Sequence, residues 1–151
     1  MKKNLFLVCL FMFGTLASCQ CSSKKSADNA VVNTTETPVP LGDPFILLHD
    51  GGYYAYGTHS NKGIEFYTSD DLLTRKYGGL ALNKEDSWAD RWFWAPEIYF
   101  VNGKFYMYYS ADEHICVAVA DSPTGPFVQD KKEPMIADEK CIDNSLFIDC
   151  L

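Results

Sequence analysis

No stretch of this sequence is apolar for long enough to cross a bilayer comfortably. The best candidate, residues 5–13, falls well short of the ~20 residues that a spanning helix needs. Basic residues form no stripe beyond the pairs Lys24-Lys25 and Lys131-Lys132. With a formal net charge of -7 the chain repels a phosphate backbone, so nucleic acid is not an expected partner. Metal-type cysteine spacing is missing, and His49, His59 and His114 have no ligand spacing, so no metal and no cofactor are expected. No long segment shows helical periodicity, which argues against a helical bundle.

Aromatic residues, by contrast, are plentiful. They make up 15% of 151 residues, mostly Tyr and Phe inside β-like runs, and the hydrophobic share of 47% is enough for one packed domain. The N-terminus is separate from that domain. Lys2-Lys3 precedes the short apolar run, and Leu16-Ala17-Ser18-Cys19 places small residues just before a cysteine. The segment resembles the lipobox of a bacterial lipoprotein precursor, which implies a signal peptide over 1–19, acylation of Cys19, and export to the periplasm or cell surface on a lipid anchor. The plainer reading is an ordinary secretory leader in which Cys19 is incidental. Charge, apolar length and spacing agree with the first. Residues 20–40 are rich in Ser, Lys, Asn, Thr and Pro and read as a flexible linker, with the folded part over 41–151. Of the cysteines there, Cys116 and Cys141 are the natural pair in an oxidising compartment, and buried free thiols are the alternative; Cys150 is left over.

From residue 41 the sequence breaks into short apolar runs punctuated by Gly, Asn and Asp. Runs at 45–49 and 53–58 flank Asp50-Gly51-Gly52, and runs at 98–101 and 104–110 flank Asn102-Gly103, so two hairpins are expected. Third strands follow at 64–69 and 115–120. The halves superpose: Gly52 and Gly103 close equivalent turns, and Tyr53-Tyr54-Ala55-Tyr56 answers Phe105-Tyr106-Met107-Tyr108. An offset of about fifty residues is that of four-stranded propeller blades. Asp43 opens the first copy, Ala95 stands at the matching place in the second, and Asp143 opens a third β segment eight residues before the last residue.

Taken together, Gly42-Asp43-Pro44, Tyr56-Gly57-Thr58, Ser69-Asp70-Asp71-Leu72, Trp94-Ala95-Pro96-Glu97, Tyr108-Tyr109-Ser110-Ala111, Ala120-Asp121-Ser122-Pro123-Thr124-Gly125-Pro126-Phe127 and Ile142-Asp143 resemble glycoside hydrolase family 43. The resemblance runs from Gly42 to Asp149. It implies an all-β chain, a partial five-bladed β-propeller of about two blades plus the start of a third. It also implies an inverting glycosidase acting on arabinose- or xylose-containing oligosaccharides and polysaccharides of plant type. The family pattern has Trp where Arg75 stands and Gly where Cys116 stands, departures expected to loosen local packing.

Inverting glycosidases use two carboxyl groups, roughly 6.5–9.5 Å apart, one accepting a proton from water and one protonating the leaving oxygen. By resemblance Asp43 is the general base, and Pro44 is expected to hold it in extended backbone at a strand start. Asp143 matches the carboxylate that tunes the acid's pKa, since a nearby negative charge disfavours ionisation of its neighbour. Plainer readings are a turn at Asp43-Pro44 and an Asx cap at Asp143-Asn144-Ser145. Trp94 offers an aromatic face for a sugar ring, or packs between blades. The general acid, a Glu of a later blade, is absent from the chain. Glu97 and Glu113 lie in no matching segment, and Glu97 reads as structural. The expectation is therefore a glycosidase sequence truncated before its acid and inactive alone, with a non-hydrolysing glycan-binding lipoprotein or a non-functional remnant as alternatives.

Overall fold

The computed structural model describes residues 38–149. The leader with Cys19, the linker as far as residue 37, and Cys150 lie outside the described residues. Seven strands and one short 3₁₀ turn follow in order: β1 (Gly42–His49), β2 (Gly52–Thr58), β3 (Gly63–Ser69), β4 (Lys76–Asn83), the turn Lys84–Asp86, β5 (Trp94–Val101), β6 (Lys104–Ala111) and β7 (His114–Ala120). They form two antiparallel sheets of order β1-β2-β3-β4 and β5-β6-β7. The architecture is all-β, and the sheets are two blades of a partial propeller.

The hairpins turn where the sequence indicates, with one adjustment. Asp50 and Gly51, like Asn102 and Gly103, take positive φ, the signature of a type I′ turn matched to strand twist. His49 pairs with Gly52 and Val101 with Lys104. The equivalent of Gly103 is thus Gly51, and Gly52 already belongs to β2. β4 was not visible in the sequence, since Gly78-Gly79 interrupts it and its first half is exposed. No strand forms over 142–149, contrary to the expected third β segment: among the described residues nothing pairs with it, and an unpaired backbone has no ladder to join.

The blades meet through their inner strands. β1 lies beside β5, with Phe45 against Tyr99 at 6.0 Å between ring centroids and His49 against Phe100 at 4.7 Å. The core between the sheets includes Tyr56, Ile64, Leu82, Ile98, Met107, Tyr109 and Phe127, all at or near zero exposure. Side chains of this size each contribute about 1.5–3 kcal/mol on burial. On the outer side, residues after β7 stitch the sheets together. The Phe127 amide donates to the Ala81 carbonyl at 2.8 Å, Leu82 bridges to Phe127, and Val119 bridges to Val128. The Tyr56 hydroxyl donates to the Pro123 carbonyl across the same seam. Beneath it the Tyr109 hydroxyl meets Ser87 Oγ at 2.8 Å and Gln129 Oε1 at 3.2 Å, so the buried phenol has partners.

Cys116 and Cys141 are free thiols and not a bridge; Cys116 is buried, whereas Cys141 is partly exposed. Cys116 is fully buried within the core cluster, so the thiol fills space there instead of loosening it, and burial pushes its pKa up to about 11. A thiol so protonated is a poor nucleophile.

The turn after β3 carries a pH-dependent element. The Asp71 carboxylate accepts from the amides of Thr74 at 2.6 Å and Leu73 at 2.8 Å, and from the Ser69 hydroxyl at 3.1 Å. These bonds, the Thr74 amide foremost, hold its pKa down to about 2. A depressed folded pKa contributes stability above the ordinary carboxylate value, lost as pH falls through about 2. A carboxyl-carbon NMR titration should place the Asp71 midpoint near 2, and Asp71→Asn should remove that acid-side slope in stability.

Candidate active site

Each blade opens with the same irregularity. Gly42 pairs with Thr58 and Phe45 with Tyr56, so Asp43 and Pro44 together face Gly57 alone. Trp94 pairs with Ser110 and Glu97 with Tyr108, so Ala95 and Pro96 face Tyr109 alone. Two residues opposite one make a β-bulge, which re-aims the strand at its start. The bulged residue is left-handed in both blades, with φ 44° at Asp43 and 43° at Ala95, and Asp143 adopts φ 59°. Asp43 is therefore not extended, as Pro44 had led us to expect. The bulge overrides the proline preference, and Asp is among the residues that tolerate this region.

Close approach at the bulge explains Gly57. A Cβ there would lie 2.6 Å from the Gly42 carbonyl oxygen and 2.8 Å from Leu41 Cβ, closer than real contacts allow. Next to it, Thr58 at the end of β2 donates its hydroxyl to Asp43 Oδ2 at 3.0 Å and accepts the Ala95 amide at 3.0 Å. One blade on, the fully buried Ser110 accepts the Asp143 amide at 3.1 Å. A hydroxyl at the end of the second strand thus ties down the opener of the following repeat, twice.

The three openers converge on one cleft. Asp43, Pro44, Phe45, Ala95, Pro96, Glu97, Asp143 and Asn144 line a cavity of about 220 Å³. Asp43 and Asp143 are exposed there, open to water. Their carboxylates can accept protons or hydroxyl hydrogen bonds from a bound polyol. Glu97 lies in the same cleft, half-buried, and accepts the Tyr99 hydroxyl at 2.6 Å. The bond to Tyr99 agrees with the structural reading of Glu97, which also faces the cleft beside the openers. Asn144 lines the cleft too, its side-chain oxygen and nitrogen buried and without hydrogen-bond partners.

Trp94 is not one of the lining residues. Its ring stacks on Trp92 at 5.9 Å and 10°, and the Arg91 guanidinium lies 4.3 Å over Trp92 while holding Asp112. The stack stands at the end of β5 where the cleft lies, since Ala95 follows directly. A larger hollow of about 480 Å³ on blade one, lined by residues such as Val39, Ile46 and Tyr67, contains no carboxylate. Among the described residues no group of three His, Cys, Asp or Glu is placed to hold a metal ion.

Comparison with known proteins places this geometry. The model of glycosyl hydrolases family 43 matches residues 35–150. A xylosidase/arabinosidase 43A of Humicola insolens is 39% identical over 75% of this chain, and a xylosidase/arabinosidase of Bacteroides ovatus is 32% identical over 58%. The chain spans 41% and 34% of those two proteins. An endo-1,4-beta-xylanase structure from Bacteroides thetaiotaomicron superposes with a TM-score of 0.69 at 47% identity, covering 74% of this chain and 40% of that one.

Adding one methyl group at the bulge should displace what the bulge positions. Gly57→Ala is expected to destabilise the fold by about 1–3 kcal/mol through overpacking, read as a lower urea midpoint at unchanged m-value. Gly51→Ala, whose added Cβ meets nothing within 4 Å but is strained by φ +79°, should leave the Asp43 and Ala95 resonances in place, whereas Gly57→Ala should move both.

Proposed function

The chain belongs to glycosyl hydrolases family 43, and on that premise we propose that it carries the general-base half of an inverting glycosidase site for arabinose- or xylose-containing glycans. The observation that carries this reading is the convergence of Asp43 and Asp143, openers of different repeats, on a single water-accessible cleft. Asp43 takes the proton of the attacking water. Asp143 lends negative charge beside the leaving-group side, which keeps a neighbouring acid protonated near neutral pH. Trp94, stacked on Trp92, gives an apolar ring face at the cleft end of β5 for a sugar. The substrate class rests on the printed activities of the relatives: xylosidase/arabinosidase, and endo-1,4-beta-xylanase.

The base can be tested apart from any general acid, because protonation of the leaving oxygen matters only for poor leaving groups. The 151-residue chain, expected to be all but inactive on natural glycosides, should still hydrolyse 2,4-dinitrophenyl xyloside or arabinofuranoside slowly, with inversion at the anomeric carbon followed by proton NMR. Asp43→Asn should slow this by on the order of a hundredfold or more. Xylobiose and arabinobiose should be cleaved far more slowly. Full turnover by Asp43→Asn, or retention of configuration, would overturn the assignment. Glycan binding with no cleavage even of the activated substrate would favour a surface binding protein instead.

At the other end of the chain, 1–19 acts as a lipoprotein leader and Cys19 as the acylated residue, tethering 41–151 to a membrane through the linker. The Lys2-Lys3 start, short apolar run and small residues before Cys19 support this. Expressed in a bacterial host, the chain should incorporate labelled palmitate and fractionate with membranes. Cys19→Ser should abolish both. Label retained by Cys19→Ser would refute the anchor.

A further inference from the structure

We propose that Thr58 is a positioning residue for the Asp43 carboxylate, its hydroxyl proton given to Asp43 while its oxygen accepts the amide of the next blade. The inference rests on the reading of Asp43 as the working carboxylate and adds to it the group that orients it.

A threonine hydroxyl has one proton to give. At Thr58 the Ala95 amide donates into the oxygen at 3.0 Å, a bond made in a partly buried place, while Asp43 Oδ2 stands 3.0 Å on its other side. An amide N–H cannot accept and a carboxylate cannot donate, so the direction of both bonds follows from the chemistry alone. Thr58 joins β1, β2 and β5, three strands from two blades, and its β-branched side chain is restricted at χ1. The Asp43 carboxylate is otherwise exposed, on a left-handed residue, and among the described residues no other hydrogen bond holds its oxygens.

The second blade supplies an internal control. Ser110 occupies the place of Thr58 and accepts the Asp143 amide in the same way. The opener of its own blade is Ala95, which has no carboxylate to receive a proton. The tie between successive repeats therefore forms without any donation to a carboxylate, and the second bond made by Thr58 is an addition to it. Blade one, which has the aspartate, also has the hydroxyl directed at it.

NMR on the full chain tests this independently of turnover. Three-bond couplings to Asp43 Cγ should report a single χ1 rotamer in the wild type. In Thr58→Val they should become averaged, with the Ala95 amide exchanging about tenfold faster, as expected when one hydrogen bond is lost. Thr58→Ser should restore both. Averaged couplings in the wild type, or unchanged couplings in a folded Thr58→Val, overturn the proposal. If Thr58→Val does not fold, the wild-type couplings and Thr58→Ser still decide. With 2,4-dinitrophenyl xyloside, Thr58→Val should lower kcat about tenfold at unchanged KM, since only orientation is lost. Undiminished turnover by Asp43→Asn would dismiss Asp43 as the base while leaving the couplings to judge Thr58.

Discussion

An L-amino acid held at positive φ costs roughly 1–3 kcal/mol, and this fold places one at the start of each repeat. Asp43, Ala95 and Asp143 all sit there. What offsets the cost is the two-against-one bulge packed tightly on Gly57 in blade one and on Tyr109 in blade two, with a hydroxyl from the second strand accepting the following opener's amide. Other features follow from this constraint. The bulge determines which alternate residues of β1 face inward, so that Phe45, Leu47 and His49 pack while Ile46 and Leu48 remain exposed. It also directs the side chains of the openers into a common cleft.

Rigidity and exposure are divided accordingly. Around the cleft the carboxylates stay wet, while polar groups behind them are buried and matched, the Asn144 side chain excepted. Tyr109, Ser87 and Gln129 form one such group, and Ser110 is another. Buried, satisfied networks of this kind specify one arrangement of the backbone. The outer seam, where Phe127 and Val128 bridge β4 and β7, fixes the angle between the blades at the edge remote from the cleft. Exposed acids on a scaffold fixed at both edges are a suitable basis for catalysis that depends on orientation.

Much of the fold could be read directly from the residues. Asp50-Gly51 and Asn102-Gly103 located both hairpins, because type I′ turns demand those residue types, and the alternating runs around them are strands β1, β2, β5 and β6. β4 escaped notice because a strand interrupted by Gly78-Gly79 and half exposed has little periodicity to detect. Residues 142–149 look like a strand in pattern, yet pairing is a property of two segments, and among the described residues the second is not there. At the site, Asp43 and Asp143 were legible from repeat position and family resemblance. The left-handed backbone was not, since Asp-Pro in isolation points to extended structure and only the two-against-one register reverses it. Glu97 and Thr58 were hidden for a related reason: which face a residue adopts after a bulge depends on the bulge. The Tyr-Gly-Thr motif was visible, but its hydroxyl acquires meaning only once Ala95 is brought beside it.

The central claim is spatial: left-handed openers of successive repeats bring Asp43 and Asp143 to one cleft. Pulsed electron-spin distance measurements between nitroxide-bearing residues incorporated at positions 43 and 143 of the full chain test it most directly. A single narrow distribution near the short limit of the method is the predicted result. A long distance, or a broad distribution spanning many separations in a chain that is otherwise folded, would contradict it.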